Sequence, residues 1–214
     1  MIPVLIIPVL NRYDLLEQTL KSIDHEIENI LIINNGKGEP VTGIKNVTII
    51  NMPSNQGIAG SWNLGIKFYP HVPYWVFGSA DTSFRQGELK KFEEFSGPDY
   101  FIKSNAHYSC FSLGENIVKK VGLFDEYIYP AYYEDNDYDD RMVLAGFADH
   151  ILCPGIQVND HGGSQSIKSD PELMNRNNST FITNGDYYKN KKQTGDYTVK
   201  GWDLTRRREN EWLK

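Results

Sequence analysis

VLIIPVLNRYDLLEQTLKSI, residues 4–23, decides how the first half of the chain is read. Its opening six residues form a continuous apolar run, the pattern of a strand buried on both faces. In the part that follows, Leu16, Leu20 and Ile23 recur at i, i+4 and i+7, and Asn11 stands where an N-cap belongs, so a helix is expected there. Working outward, NILIINN (29–35) and NVTIINM (46–52) read as strands, IAGSWNLGIKFY (58–69) as a helix and YWVFGS (74–79) as a fourth strand. The order β-α-β-β-α-β with short connections predicts a mostly parallel sheet covered by helices. Ligands of such sheets bind beyond the carboxyl ends of the strands. Each strand here ends in small or polar residues: Asn11, Asn34-Asn35-Gly36, Asn51 with Asn55, and Ser79 with Asp81.

The second half is less regular. ENIVKKVGLF (115–124) and Glu134 to Ala145 read as helices, and ILCPGIQV (151–158) as a strand. From Ser164 the chain is polar and is expected to wrap over the front of the domain as an extended tail. The organisation is therefore one domain over 1–163 and a tail over 164–214.

With 214 residues, 40% of them hydrophobic, the chain can bury one full core. A formal net charge of -6 argues against a protein that grips nucleic acid through phosphates, although TRRRENEWLK (205–214) is locally cationic. Cys110 and Cys153 match no metal spacing and sit beside apolar residues, so both are expected as buried thiols. No apolar run reaches the roughly 18 residues that span a bilayer. The N-terminus lacks a basic leader and a cleavage site, so a soluble, cytoplasmic protein is expected.

Several stretches carry residues suited to chemistry. NQGIAGSWNLG (55–65) places glycines at a loop-to-helix junction, where a backbone can approach a ligand or pack tightly on a sheet. It lacks the dinucleotide and P-loop fingerprints. In VFGSADTSF (76–84), Asp81 follows a strand ending in small residues; it either caps the next turn or holds a divalent cation. His161 in VNDHGGSQS (158–166) is either a loop histidine or the nitrogen partner of Asp81 in a mixed site of the kind manganese tolerates. YYEDNDYDDRM (132–142) holds five carboxylates between Glu134 and Arg141. In a helix, Asp137 and Arg141 pair at i, i+4, Tyr138 and Met142 share a face, and Asp139 and Asp140 are free to be solvated. Glu134 and Asp135 fall at the helix start, where the dipole favours negative charge, behind an aromatic YPAYY segment. An EF-hand is excluded because its ligand spacing and central glycine are missing. A carboxylate pair in such a cleft suits a general base.

Taken in order, these segments resemble family 2 glycosyltransferases of the GT-A fold, over residues 3 to about 163. The resemblance rests on IIPVLNRYDLLEQTLKSI, IINNG, NQGIAGSWNLG, VFGSADTSF and VGLFDEYIYPAYYEDNDYDDRMVLAGF, followed by His161. It implies inverting transfer of a sugar from a nucleotide sugar, with a UDP- or TDP-sugar expected as donor. Pro8, Val9 and Asn11 match the first nucleotide-binding loop. Asn34 and Asn35 match a strand end that usually carries an Asp against the base. Asn55, Gly57 and Asn63 match the segment beside nucleotide and sugar. Ser79-Ala80-Asp81 matches D-x-D with its first Asp replaced, leaving Asp81 and His161 to hold Mn²⁺ or Mg²⁺. Glu134-Asp135 matches the E-D motif, with Asp135 as the base and Glu134 touching hydroxyls. Arg141 matches a basic position that closes on phosphate or on the carboxylates. The acceptor implied is a saccharide, with a protein or a modified nucleobase as the other classes open. A catalytically silent nucleotide-sugar-binding module is the competing reading, supported by Ser79. A nucleotidylyltransferase would want Gly, Arg and Lys after the first strand, which PVLNRYD does not supply.

Overall fold

The computed structural model describes residues 1–41, 43–161 and 164–201. A seven-stranded sheet forms its centre. In chain order the first half contains β1 (Ile2–Val9), α1 (Tyr13–Lys21), β2 (Ile27–Asn34), β3 (Val47–Asn51), α2 (Gly57–Phe68), β4 (Tyr74–Gly78), β5 (Thr82–Phe84) and α3 (Glu88–Phe95). The second half contains β6 (Phe101–Ser104), β7 (His107–Gly114), α4 (Glu115–Val121), α5 (Glu134–Leu144), β8 (Ile151–Leu152), β9 (Val158–Asp160), α6 (Gln165–Lys168) and α7 (Pro171–Thr194). The sheet runs β3-β2-β1-β4-β7-β6-β8, and β5 pairs with β9 as a separate ribbon. Neighbours β3, β2, β1 and β4 are parallel, whereas β7 is antiparallel to both β4 and β6.

The apolar run of β1 is explained by its two faces. Leu5, Ile7 and Val9 pack with Leu16 and Leu20 of α1 and Leu89 and Phe92 of α3. Val4 and Ile6 face the other way, onto Trp62 and Ile66 of α2 and Tyr138 and Met142 of α5. A strand with no solvated face has no polar alternation. The sheet is therefore covered on both sides, and its open edge is the carboxyl end of the parallel strands.

Some local expectations are corrected. Arg12, not Asn11, precedes α1, and no side chain caps that helix. Asn11 instead donates to the Ser166 carbonyl at 2.9 Å. The stretch 151–158 is not one strand: Pro154 and Gly155, the latter at φ 79°, divide it into β8 and β9. The hairpin of β6 and β7 and the helix α3 were not expected. Cys110 is buried, as expected, but Cys153 is exposed, and the two are unpaired.

The largest correction concerns the polar tail. Most of it is α7, 24 residues long, not an extended strap. Asp170 caps it by accepting from the backbone N–H groups of Glu172 and Leu173, Pro171 opens it, and Gly195 closes it at φ 69°. Its inner face is polar, with Asn177, Thr180, Asn184 and Lys191 buried. The Lys191 ammonium lies 2.6 Å from Asp125 and 2.5 Å from Asp137, both fully buried. Asp137 also holds Arg141 at 2.8 Å, and Asp125 accepts from Tyr187 at 3.1 Å. Buried charges persist only when paired in this way. The boundary expected at 163 and the cationic stretch 205–214 lie outside the described residues. Among the described residues, no helix is long and apolar enough to cross a membrane.

Candidate active site at the carboxyl edge of the sheet

A cavity of about 330 Å³ opens at the ends of β1, β2 and β4. Pro8 and Val9 bring the end of β1 to it, Asn35 the end of β2, and Ser79, Ala80 and Asp81 the end of β4. Asn55 and Gly57 reach it from the start of α2, and Glu134 and Asp135 from the start of α5. Segments far apart in sequence thus converge on one concavity at the edge where α/β sheets bind ligands.

The junction of α2 with the loop before α5 depends on Gly57. Its φ is 72°, and a Cβ there would lie 2.8 Å from the Pro130 carbonyl oxygen. That same oxygen accepts from the Ile58 N–H at 2.8 Å. Any side chain at 57 would push the loop away from the helix. Tyr129 adds a hydrogen bond from its hydroxyl to the Asn55 carbonyl at 3.0 Å.

Tyr132 and Tyr133 follow, at φ 73° and 77°, a conformation unfavourable for side chains with a Cβ. Partners on all sides hold them. Asn184 of α7 donates to the carbonyls of Tyr129 and Ala131 at 3.1 and 3.0 Å. Tyr132 shares a 2.8 Å hydrogen bond with Ser164, and the Tyr133 ring stacks on Tyr188 and against Phe181. Helix α5 begins directly afterwards, with three acids in its first turn. Burial, and next the neighbouring Asp135 charge, push the Glu134 carboxyl up to about 8. One of its oxygens, Oε2, is buried without a hydrogen-bond partner among the described residues. Asp135 is half-buried, and its Oδ1 accepts from the Asn136 N–H at 2.8 Å.

Asp81 and His161 meet where the β5–β9 ribbon ends: the His161 N–H donates to the Asp81 carbonyl at 3.1 Å. The Asp81 carboxylate accepts from the Gln165 N–H at 3.2 Å, and the His161 imidazole lies 3.4 Å from the Ser83 hydroxyl. The contact between the two residues is thus through their backbones, while their side chains meet Gln165 and Ser83. Among the described residues, no group of three or more His, Cys, Asp or Glu ligands gathers.

Three expected residues do not line the cavity, besides Asn11 and His161. Asn34 is buried and ties the strand ends together: it accepts from Tyr13 and donates to Asn51, both at 2.8 Å. Asn63 donates to the Phe124 carbonyl and accepts from the Phe124 N–H. Arg141 points into the fold, donating to Asp137 and to the Val121 carbonyl. Asp139 and Asp140 are not simply solvated: Asp139 binds Tyr108 at 2.8 Å and Lys103 at 2.7 Å, and Asp140 accepts from Tyr188 and Tyr197. Sequence reasoning missed Trp62, His107, Tyr108 and Ser166, all of which line the cavity beside Tyr132 of the aromatic YPAYY segment. Burial, then the charge of Asp139, drive the Tyr108 phenol well above its ordinary range, so it stays a hydrogen-bond donor.

Residues 4–106 match glycosyl transferase family 2. That match covers just under half of the chain. A galactofuranosyl glycosyltransferase of Leishmania donovani is 22% identical over 78% of this chain, which spans 58% of that relative's length. The mannosyltransferase PcManGT of Pyrobaculum calidifontis, solved with GDP-Man and Mn²⁺, superposes with a TM-score of 0.54 at 12% identity, covering 71% of this chain and 54% of its own. TarS of S. aureus, residues 1–349 with UDP, superposes with a TM-score of 0.54 at 13% identity, covering 73% and 59%. The chain thus has the GT-A architecture, a mostly parallel sheet between helices.

Proposed function

We propose that this chain transfers a sugar, with inversion, from a nucleoside diphosphate sugar to an acceptor hydroxyl. The observation that carries the reading is the convergence of Asp81 with Glu134 and Asp135 in one cavity at the carboxyl edge of the sheet. In this reading the nucleotide lies along Pro8, Val9 and Asn35. Asp81 and His161 hold a divalent cation, Mn²⁺ or Mg²⁺, which would neutralise charge gathering on the diphosphate leaving group. Asp135 takes the proton of the acceptor hydroxyl as its oxygen bonds to the anomeric carbon from the face opposite the departing phosphate. Glu134 supports this division of labour. Its carboxyl, buried and raised to about 8, keeps its proton at pH 7 and serves as a donor to a sugar hydroxyl, leaving Asp135 as the proton acceptor of the pair. The donor proposed is a UDP- or TDP-sugar, and the acceptor a saccharide.

Ser79, where the family motif carries an Asp, favours one other reading: a silent module that binds nucleotide sugars. One experiment separates the two. UDP-, TDP- and GDP-sugars are incubated with the protein and Mn²⁺, and released nucleotide is measured with and without EDTA. Turnover of a UDP- or TDP-sugar, abolished by EDTA and by Asp81→Ala, is expected. Binding without turnover favours the silent module, full activity in EDTA contradicts the metal site, and preference for a GDP-sugar contradicts the donor assignment.

A further inference from the structure

A second, shallower groove of about 350 Å³ adjoins the cavity and has no part in the reading above. Tyr132, Ser164 and Ile167 line both, so the two are continuous past the loop that delivers Asp135. The far wall of the groove belongs to α7, through Asn177, Asn178 and Phe181. Phe181 is 43% exposed, a large apolar ring left in solvent. Its centroid stands 5.4 Å from the Tyr132 ring, at 72°, so the two rings form a corner. Beside it, Asn177 is only 5% exposed, and its Oδ1 has no hydrogen-bond partner among the described residues. An amide oxygen buried without a donor is costly, by about 1–3 kcal/mol, unless a ligand supplies one.

An aromatic corner with amides beside it fits a ligand that is apolar on its faces and rich in hydroxyls at its edges, and a pyranose ring has that form. An apolar helix or a lipid chain would leave the Asn177 oxygen unsatisfied. We propose that this groove is an acceptor subsite for an oligosaccharide. The terminal sugar places its hydroxyl at Asp135, and the penultimate sugar stacks on Phe181 with a hydroxyl donating to Asn177 Oδ1. The inference rests on the transferase reading of the main cavity and names its acceptor as a glycan of at least two sugars. Contacts remote from the reacting atom position the acceptor, so a shortened acceptor loses turnover as well as affinity.

The test is retention of the full chain, fluorescently labelled, on an array of immobilised monosaccharides and matched oligosaccharides, with and without UDP. A parallel titration with UDP reports the donor site. Wild type is expected on oligosaccharides at least 10-fold more tightly than on their terminal monosaccharides. Phe181→Leu, which keeps apolar bulk and removes the ring face, is expected to lose that preference while UDP affinity stays unchanged; Phe181→Trp is expected to keep it. Absence of any glycan retention, equal retention of monosaccharides, or a Phe181→Leu variant that behaves as wild type would each overturn the subsite. A chain that retains oligosaccharides but ignores UDP keeps the subsite and refutes the donor reading.

Discussion

At the residue scale, Glu134 and Asp135 are adjacent but differently placed. Glu134 is 7% exposed with an orphaned oxygen, whereas Asp135 is half-buried at the cavity. Because the Glu134 carboxyl is raised from 4.5 to about 8, the folded state holds its proton more tightly than the unfolded chain does. Its contribution to stability is therefore complete below about pH 4.5 and is lost as pH rises through 8. Each pH unit across that window is worth roughly 1.4 kcal/mol. Glu134→Gln removes the titration, so urea unfolding of the variant should show a flatter decline in stability between pH 5 and 9 than wild type. Identical slopes would mean that Glu134 ionises freely. The two carboxylates were legible in sequence because acids at a helix start are marked by the following 3.6-residue pattern. The cavity around them was not, since it is also lined by Trp62, His107 and Tyr108, which are distant in sequence. Asn34, Asn63 and Arg141 show the converse: polar side chains at suggestive positions whose bonds go to the backbone and to one another instead of the cavity.

At the element scale, α7 is what the sequence hid. Its buried residues are Asn177, Thr180, Asn184, Gly185 and Lys191, so no apolar periodicity marks it. The caps were readable: Asp170-Pro171 at one end and Gly195 at the other. β1, α1, β2, α2 and β4 were legible because each buries an apolar face, and β3, an edge strand only partly buried, because of its β-branched run. α7 gives the loop before α5 its shape through Asn184, which donates to two carbonyls there. Asn184→Ala leaves both without that donor, and each such loss costs about 1–3 kcal/mol. Denaturant unfolding should register the loss, and sugar transfer should fall with it as Tyr132 and Asp135 lose their placement. An Asn184→Ala protein with wild-type stability and transfer would show that α7 does not hold the loop.

At the scale of the whole molecule, Lys191 joins α7 to α5 and to the segment before the site. It is 2% exposed and faces Asp125 and Asp137, both at 0%. Lys191→Met keeps most of the side-chain volume but leaves buried Asp125 without its cation and Asp137 with Arg141 alone. Breaking one side of such a pair typically costs about 3–5 kcal/mol, so the variant should unfold at markedly lower denaturant concentration at pH 7. The deficit should shrink as the pH falls and the carboxylates protonate. A deficit independent of pH would show that packing, not charge, is what Lys191 supplies.

The account as a whole stands on Asp135 as the base, and the measurement that reaches it is transfer by Asp135→Asn, with donor affinity measured on the same protein. The amide keeps the shape of the side chain and its place at the start of α5, but cannot accept a proton. Loss of general-base catalysis is typically worth about 10² to 10⁴ in rate. The account predicts a fall of that size with nearly unchanged donor affinity. Asp139→Asn serves as the comparison: its partners Tyr108 and Lys103 should shift, lowering transfer far less. Near-normal transfer by Asp135→Asn, with the loss falling on Asp139→Asn instead, would place the base one turn further along α5 and contradict the account.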